Sequence, residues 1–324
     1  MPSPRPRKPR FQRVSPPPAI RLTGRDFLIL DHVSRHRFLR SDHLTDLVPG
    51  SQQHITRRLG RLYHAGLLER PRSQLRLPGS SGALVYCLSE RGRKELIARQ
   101  APVFSAPPRI RKAATSLRLA HDLRVSDVLV CLQRACLLGA WFFFHHHDWE
   151  TLLNGAQPDA LRPLKWSIRT RLKDRRHLVT VIPDAAFALH DGKEGSAYFL
   201  LEVDRGTMPV TRSDPTQTSF VRKVQAYRET RKAGVLWKHW EVPGFRVLVV
   251  TESRKRMHSL QQATSKCFRR GRSTMFLFAV AEDLLAAADP LTAPWQNCMG
   301  EPAVLVSKPA TQPALGQSLL SEVA

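Results

Sequence analysis

The chain has 324 residues, 42% of them hydrophobic, with 51 Lys and Arg against 27 Asp and Glu and a formal net charge of +24. That length exceeds what a single core usually supports, so two domains are expected, and so cationic a surface draws in polyanions, although ribosomal or membrane-surface binding would leave the same excess. The five cysteines are widely spaced without a C-x-x-C pair, which argues against a disulfide framework and suits a reducing compartment.

Residues 1–19 are Pro-rich and basic, with Arg5, Arg7, Lys8, Arg10 and Arg13 and almost no apolar anchors, so a disordered tail is expected there. No apolar stretch follows those basic residues, and a secretory signal is not expected. From residue 20 to 101 the pattern becomes dense. Thr23 can cap a helix carrying Phe27, Ile29, Leu30 and Val33; a short helix starts at Ser41 and ends at Pro49-Gly50. Ser51 can cap a third helix, where Ile55, Leu59 and Leu62 repeat at helical spacing. Leu67 to Arg70 and Ala83 to Leu88 read as strands joined by the loop Pro78-Gly79-Ser80-Ser81-Gly82, and Ser89 caps a closing helix through Ile97. Three helices, a hairpin and a last helix are the order of a winged helix-turn-helix domain.

Residues 102–108 are a Pro/Ser-containing linker candidate. The second domain is expected over 109–303: a long helix from Ala114 to Leu138, strands at Trp141–Phe144, His177–Leu189 and Tyr198–Val203, a helix at Thr218–Lys232, a strand at Phe245–Thr251, a helix at His258–Cys267 and a strand at Thr274–Val280. Strands alternating with helices predict an α/β layer, α+β for the whole chain. Residues 304–324 have little to fold around and are expected as a second tail. The apolar run ending at Phe144 is far short of a membrane span, and a cytoplasmic, nucleoid-associated protein with no membrane partner is expected.

In the third helix the apolar positions face inward, which leaves Gln53, Thr56, Arg57 and Arg61 on the outer side. Gln and Arg make paired hydrogen bonds to adenine and guanine in the major groove, so this face is expected to read double-stranded DNA. Arg58 and His64 are expected on phosphates, and Arg70, Arg72 and Arg76 of the wing on the DNA backbone or in the minor groove. A charged helix face is also what a solvated surface looks like, and some winged helices dock proteins instead. The basic run Lys165 to Arg176 reads as a solvated insert able to neutralise phosphates beside a cleft.

In the second domain Glu202 and Asp204 alternate with Leu201 and Val203 and share one strand face, while Asp184 falls in the preceding strand segment. Three carboxylates converging there would repel one another unless a hard cation such as Mg²⁺ or Mn²⁺ lay among them. Lys223 and Tyr227 lie four residues apart on one helix face. Pro183-Asp184 followed by a strand bearing acid-x-basic resembles the PD-(D/E)XK restriction-endonuclease-like motif. That resemblance implies a metal held by Asp184, Glu202 and Asp204. It also implies a Lys at the third motif position, where this chain has Asp204, and Lys223 reads as a migrated replacement. More closely, the chain resembles the replication-relaxation family of plasmid and mobile-element proteins. The resemblance rests on His121-Asp122-Leu123-x-Val125-x-Asp127, Pro183-Asp184-Ala185, Leu201-Glu202-Val203-Asp204-Arg205-Gly206-Thr207, Lys223-x-x-x-Tyr227, Val249-Val250-Thr251 with Arg254 and Arg256, and Asp289-Pro290-Leu291 with Trp295.

Two functions follow from that resemblance. One is a DNA-binding protein of replication, mobilisation or regulation with a degenerate nuclease-like domain, a possible homodimer working with other replication, transfer or recombination proteins. The other is a metal-dependent endonuclease or nickase in which Asp184, Glu202 and Asp204 hold the metal and Lys223 stabilises charge. His145-His146-His147-Asp148 also suggests a metal, but only His145 and His147 would share a strand face. Glu150 is a further acid candidate, and Asp122 and Asp127 read as paired packing residues. No G-x-x-x-x-G-K-[ST] occurs, which argues against ATP-driven chemistry.

Overall fold

The computed structural model describes residues 10–77, 82–99, 115–149, 164–172, 175–193, 195–214 and 217–307. These form a mixed α+β protein of two compact units, divided in the chain between Val130 and Cys131. The loop at 78–81, the linker at 102–108 and Glu150 lie outside the described residues.

In the first unit Thr23 opens α1 (Gly24–His36), its N–H and hydroxyl donating to Asp26 Oδ2 at 2.7 and 2.8 Å. After α2 (Ser41–Leu47), Ser51 caps α3 (Gln52–His64) by accepting from His54 N. Ile29, Leu30 and Val33, Leu44 and Leu47, and Ile55, Leu59 and Leu62 fill one core from the three helices. Strands β1 (Leu39–Arg40), β2 (Leu68–Glu69) and β3 (Val85–Leu88) make an antiparallel sheet with β3 in the middle. The two residues of β1 are too few to show a period in the sequence. Arg72 to Arg76, expected on an open wing, form a single 3₁₀ turn.

The closing helix α4 (Glu90–Ala98) begins at Ser89, whose Oγ accepts from Gly92 N at 2.9 Å and donates to Leu67 O at 2.8 Å. A side chain at position 92 would collide with the Leu67 carbonyl oxygen, so a glycine is required where the helix leaves the sheet. The long helix α5 (Ser116–Leu138) begins in this unit. Its Leu119 and Leu123 pack with Phe38, Val85 and Cys87. Asp127 accepts from Arg40 Nη1 at 2.6 Å, His43 Nε2 at 2.9 Å and Arg124 Nη1 at 3.2 Å, and Asp122 pairs with Arg118. The helix acids are therefore packing residues.

Of the expected tail, residues 1–9 lie outside the described residues, but Arg13 and Val14 are anchored: Arg13 donates to Tyr63 O at 2.9 Å and Leu68 O at 2.8 Å and pairs with Glu69, while Val14 N donates to His64 Nδ1. One guanidinium with three acceptors, on the end of α3 and on β2, fixes this backbone.

In the second unit β4 (Phe142–His145), β7 (Ala185–His190), β8 (Ser196–Asp204), β9 (Arg246–Thr251) and β10 (Phe276–Val280) form a sheet of order β10-β9-β8-β7-β4. The pairs β4–β7 and β7–β8 are antiparallel; β8–β9 and β9–β10 are parallel. The parallel steps need helical crossovers, supplied by α6 (Phe220–Lys232, capped by Ser219) with the short α7 (Val235–Trp240), and by α8 (Arg254–Ser265, capped by Ser253). A last short helix, α9 (Ala281–Ala286), follows β10. Leu200, Val247, Val249, Phe276 and Phe278 on one sheet face share a core with Val224, Tyr227, Met257 and Leu260 of α6 and α8.

Further corrections fall here. The strand expected over His177–Leu189 is broken at Pro183, which has no N–H to give a ladder. Its first part, β6 (Arg175–Val181), leaves the main sheet to pair with β5 (Trp166–Leu172) as a separate hairpin. The expected basic insert is therefore largely this hairpin, with Lys165, Arg169 and Arg171 on its exposed face and Trp166 buried, its Nε1 donating to Thr230 Oγ1 at 2.8 Å. His146–Asp148 turn as a 3₁₀ helix rather than continuing the strand. Residues 304–307 are anchored, not a tail: Leu305 is buried, its N–H donates to Leu291 O at 2.9 Å, and Arg246 donates to Val304 O and Leu305 O. Among the described residues no helix is long and apolar enough to cross a membrane.

Candidate functional site

Two groups of side chains stand out, one in each unit. On α3, Gln53, Thr56, Arg57 and Arg61 are all exposed, and among the described residues none of their side chains makes a hydrogen bond or ion pair. The Ser51 cap and the inward Ile55, Leu59 and Leu62 fix which side of the helix they occupy. Arg72 and Arg76 are exposed and equally uncommitted.

The other three basic candidates of this unit are turned inward. Arg58 forks onto both oxygens of Asp26, which is fully buried, and donates to Arg21 O at 2.7 Å. Burial pushes the Asp26 carboxyl up, but the Arg58 hydrogen bond and those from the Thr23 N–H and hydroxyl hold it below the ordinary 3.8. Arg70 lies over the Tyr63 ring, 4.0 Å from its centroid, and donates to Tyr86 Oη at 3.1 Å and Arg10 O at 2.5 Å. His64 is 3% exposed and accepts from Val14 N. An expectation of phosphate contacts by Arg58, Arg70 and His64 is thus replaced by intramolecular roles: each has an acceptor, ring or donor of its own unit within reach.

In the second unit Asp184 is not within a strand but immediately before β7. Its N–H donates to Leu201 O at 3.0 Å and its Oδ2 accepts from Val203 N at 2.9 Å, pinning the Pro-Asp turn across β8. Glu202, 6% exposed, accepts from Lys223 Nζ through Oε2 and from Tyr227 Oη through Oε1, both at 2.5 Å. The four-residue spacing on α6 is what lets both donors reach one carboxylate. Burial pushes the Glu202 carboxyl up, reinforced by the Asp184 charge and opposed by Lys223. Burial pulls the Lys223 ammonium down, yet the carboxylates of Glu202, Asp184 and Asp204 outweigh it and the net direction is upward. Burial and the Glu202 charge raise the Tyr227 phenol well above its ordinary value.

Asp204 turns to a different partner. Arg256 of α8 forks onto it, Nε to Oδ1 at 2.9 Å and Nη2 to Oδ2 at 2.8 Å, and also donates to Met208 O at 2.5 Å. Asp204 Oδ1 accepts from Gly206 N at 2.7 Å as well, and Gly206 has a φ of 75°, a conformation glycine adopts without strain. The segment Glu-Val-Asp-Arg-Gly therefore folds as one knot with Pro183-Asp184. Arg256 was visible in the sequence only as part of the resemblance; no spacing rule connects it to an acid 52 positions away.

A divalent cation fits this arrangement poorly. The Glu202 oxygens are taken by an ammonium and a phenol, both Asp204 oxygens by a guanidinium, and among the described residues no group of three His, Cys, Asp or Glu is placed to hold a metal. What the arrangement does chemically is neutralise carboxylates with side-chain cations. Lys223, Glu202 and Asp184 do come together, whereas Asp204 is drawn into a separate ion pair.

A model of the replication-relaxation family matches residues 30–243, more than half of the chain. No curated protein and no solved structure matches it. The matched span takes in α3, the Pro-Asp turn, the Glu-Val-Asp-Arg-Gly knot and the Lys223–Tyr227 pair, and the chain belongs to the replication-relaxation family.

Proposed function

We propose that this protein is a sequence-directed double-stranded DNA-binding protein acting in the replication, mobilisation or regulation of a plasmid or mobile element. The first unit is read as a winged helix-turn-helix with α3 as its recognition helix. The second is read as a restriction-endonuclease-like core retained as a scaffold. The observation that carries this reading is the outer face of α3: Gln53, Thr56, Arg57 and Arg61 are exposed with no partners among the described residues, on a chain of net charge +24. Such a helix entering the major groove offers Gln to adenine and Arg forks to guanine. Arg72 and Arg76 would meet phosphates and set register without reading sequence.

For the core, the support is topological and electrostatic. The reading is supported by a sheet whose antiparallel strands lead into a helix and a parallel strand, with a Pro-Asp turn beside an acid-bearing strand. The cations of Lys223 and Arg256 occupy the acid oxygens a metal would need. That occupation supports the degenerate reading of the domain. The meeting of Lys223 with Glu202 beside Asp184 is what supports the alternative, a Mg²⁺-dependent nickase. Nucleoid association, a homodimer and contacts with other replication or transfer proteins belong to the same proposal.

Fluorescence anisotropy with a panel of duplexes from the protein's own replicon tests the reading. Arg57→Ala and Arg61→Ala are each expected to lower affinity for the preferred duplex roughly tenfold, about 1–3 kcal/mol for each paired hydrogen bond to a base that is removed, leaving binding to unrelated duplex nearly unchanged. A wild-type protein that ignores every duplex at low ionic strength would falsify it. Supercoiled plasmid incubated with Mg²⁺ or Mn²⁺ separates scaffold from enzyme. No nicking is expected from the wild type; nicking abolished by both Asp184→Ala and Glu202→Ala would establish the enzyme.

A further inference from the structure

The C-terminal turn of α6 and the segment leading into β10 border an open cleft of about 550 Å³ lined by Arg228, Arg231, Lys232, Arg272, Phe268 and Ser273 among others. Two of these cations are already engaged: Arg228 donates to Cys267 O at 2.5 Å and pairs with Glu229, as does Lys232. Arg231 and Arg272 are exposed, and their guanidinium groups have no hydrogen bond or ion pair among the described residues. Arg269 and Arg270, beside Phe268 in sequence, are exposed and uncommitted in the same way.

The negative end of the α6 dipole accounts for Arg231 and Lys232 by itself. It does not account for Arg272, which arrives from another segment and adds to the same positive charge. That segment is held in place: the Phe268 ring packs edge-on against Phe276 with centroids 6.0 Å apart, and Gly271 N donates to Phe268 O at 3.0 Å. Ser273 Oγ accepts from Met275 N at 3.1 Å, which leaves its own hydroxyl proton to donate. Burial and the charge of Arg231 hold the Arg246 guanidinium below its ordinary value, a second sign of the positive potential here. Lys223 and Arg231 are eight positions apart on α6, about 12 Å along the axis, so this place is distinct from the carboxylate knot.

We infer that this cleft is a phosphodiester-binding site by which the second unit holds the DNA backbone, resting on the DNA-binding reading above. Guanidinium forks and a hydroxyl match phosphate oxygens, and sequence-independent grip of this kind adds affinity and salt sensitivity rather than base preference. A concave cationic pocket receives a protruding phosphate, whereas lipid binding calls for an apolar face that inserts.

The test uses the full chain carrying Arg231→Glu with Arg272→Glu, and a control carrying the same charge change at the exposed Lys94 and Lys255. Melting temperature checks the fold of both. Binding of an unrelated duplex is measured against salt. The cleft variant is expected to bind about tenfold more weakly at low salt, and its plot of log affinity against log salt is expected to be shallower by about 2, at roughly 0.9 for each phosphate no longer neutralised. Hydrogen exchange of the wild type should slow at 228–232 and 266–275 when duplex is added. Equal slopes for cleft variant and control, or no protection of those segments while duplex is bound, overturns the inference and leaves the α3 reading standing. Binding of phosphatidylglycerol vesicles lost in the cleft variant with duplex binding intact reassigns the cleft to lipid and overturns it too. If the wild type binds no duplex, both readings fall together.

Discussion

The outer face of α3 and the knot around Glu202 are both dense in charge, yet they treat it in opposite ways. On α3 the polar side chains Gln53, Thr56, Arg57 and Arg61 are exposed and unmatched among the described residues; in the knot both Glu202 oxygens have a donor within hydrogen-bonding distance. An unmatched exposed donor keeps its binding capacity for an outside partner. A buried charge that lacked a partner would cost several kcal/mol, so burial forces internal pairing. One region keeps its donors available to an outside partner, as the proposed DNA recognition requires, while the other spends its charges on holding the chain in shape.

The largest effect should come from breaking the buried pairing. Lys223→Met leaves Glu202 with Tyr227 as its remaining donor and with the Asp184 charge nearby. Loss of one partner of a buried pair costs about 3–5 kcal/mol. The lower end is expected, because the Lys223 side chain keeps 27% of its exposure. Chemical denaturation should show this, and Glu202→Gln combined with Lys223→Met should recover more than half of it. Unchanged stability in the single variant would mean that the knot is not holding the fold, and the comparison would lose one side.

Next comes Arg58, on the same helix as the recognition face but facing in. Arg58→Ala removes the charged hydrogen bonds to buried Asp26 and should cost about 1.5–3 kcal/mol. The pH dependence has a definite sign. Asp26 is held below its ordinary 3.8 in the folded chain, so its contribution is fully present above that value and fades as pH falls through the folded one. The wild type should therefore lose stability below about pH 4, and Arg58→Ala should show a flatter decline in the same window. A variant that instead kept its stability and lost DNA affinity like Arg57→Ala would place Arg58 on the outer side.

How much of this was legible beforehand follows from the length of the side chains involved. Caps at Ser51 and Ser89 and the repeat of Ile55, Leu59 and Leu62 are local signals, and α3 and α4 fall where those signals put them. The same period correctly leaves Gln53, Thr56, Arg57 and Arg61 outside. It says nothing of Arg58, at the margin of the inward face, whose long stem reaches an acid 32 positions away. Arg256 on Asp204 is the same case across 52 positions. Pro183 signals a break, but not that the segment before it leaves for a hairpin of its own. The sequence predicted a meeting of Asp184, Glu202 and Asp204 with Lys223 beside them; Asp184, Glu202 and Lys223 do meet, but that Asp204 pairs with Arg256 and that the Glu202 oxygens already have donors is a matter of three-dimensional reach, which spacing does not encode.

The smallest effect should come from the 3₁₀ turn between β2 and β3. Arg72 and Arg76 are exposed and unmatched like the α3 residues, but a phosphate contact carries no base information. Arg76→Ala should weaken binding to preferred and unrelated duplexes by the same small factor and make the salt dependence shallower by about 1. Stability should stay within about 0.5 kcal/mol, since the side chain has no partner among the described residues to give up. Loss confined to the preferred duplex would move Arg76 into the base-reading group, widening the recognition face beyond α3. No change in slope would confine recognition to the helix and leave exposure without a partner as too weak a criterion for a phosphate contact.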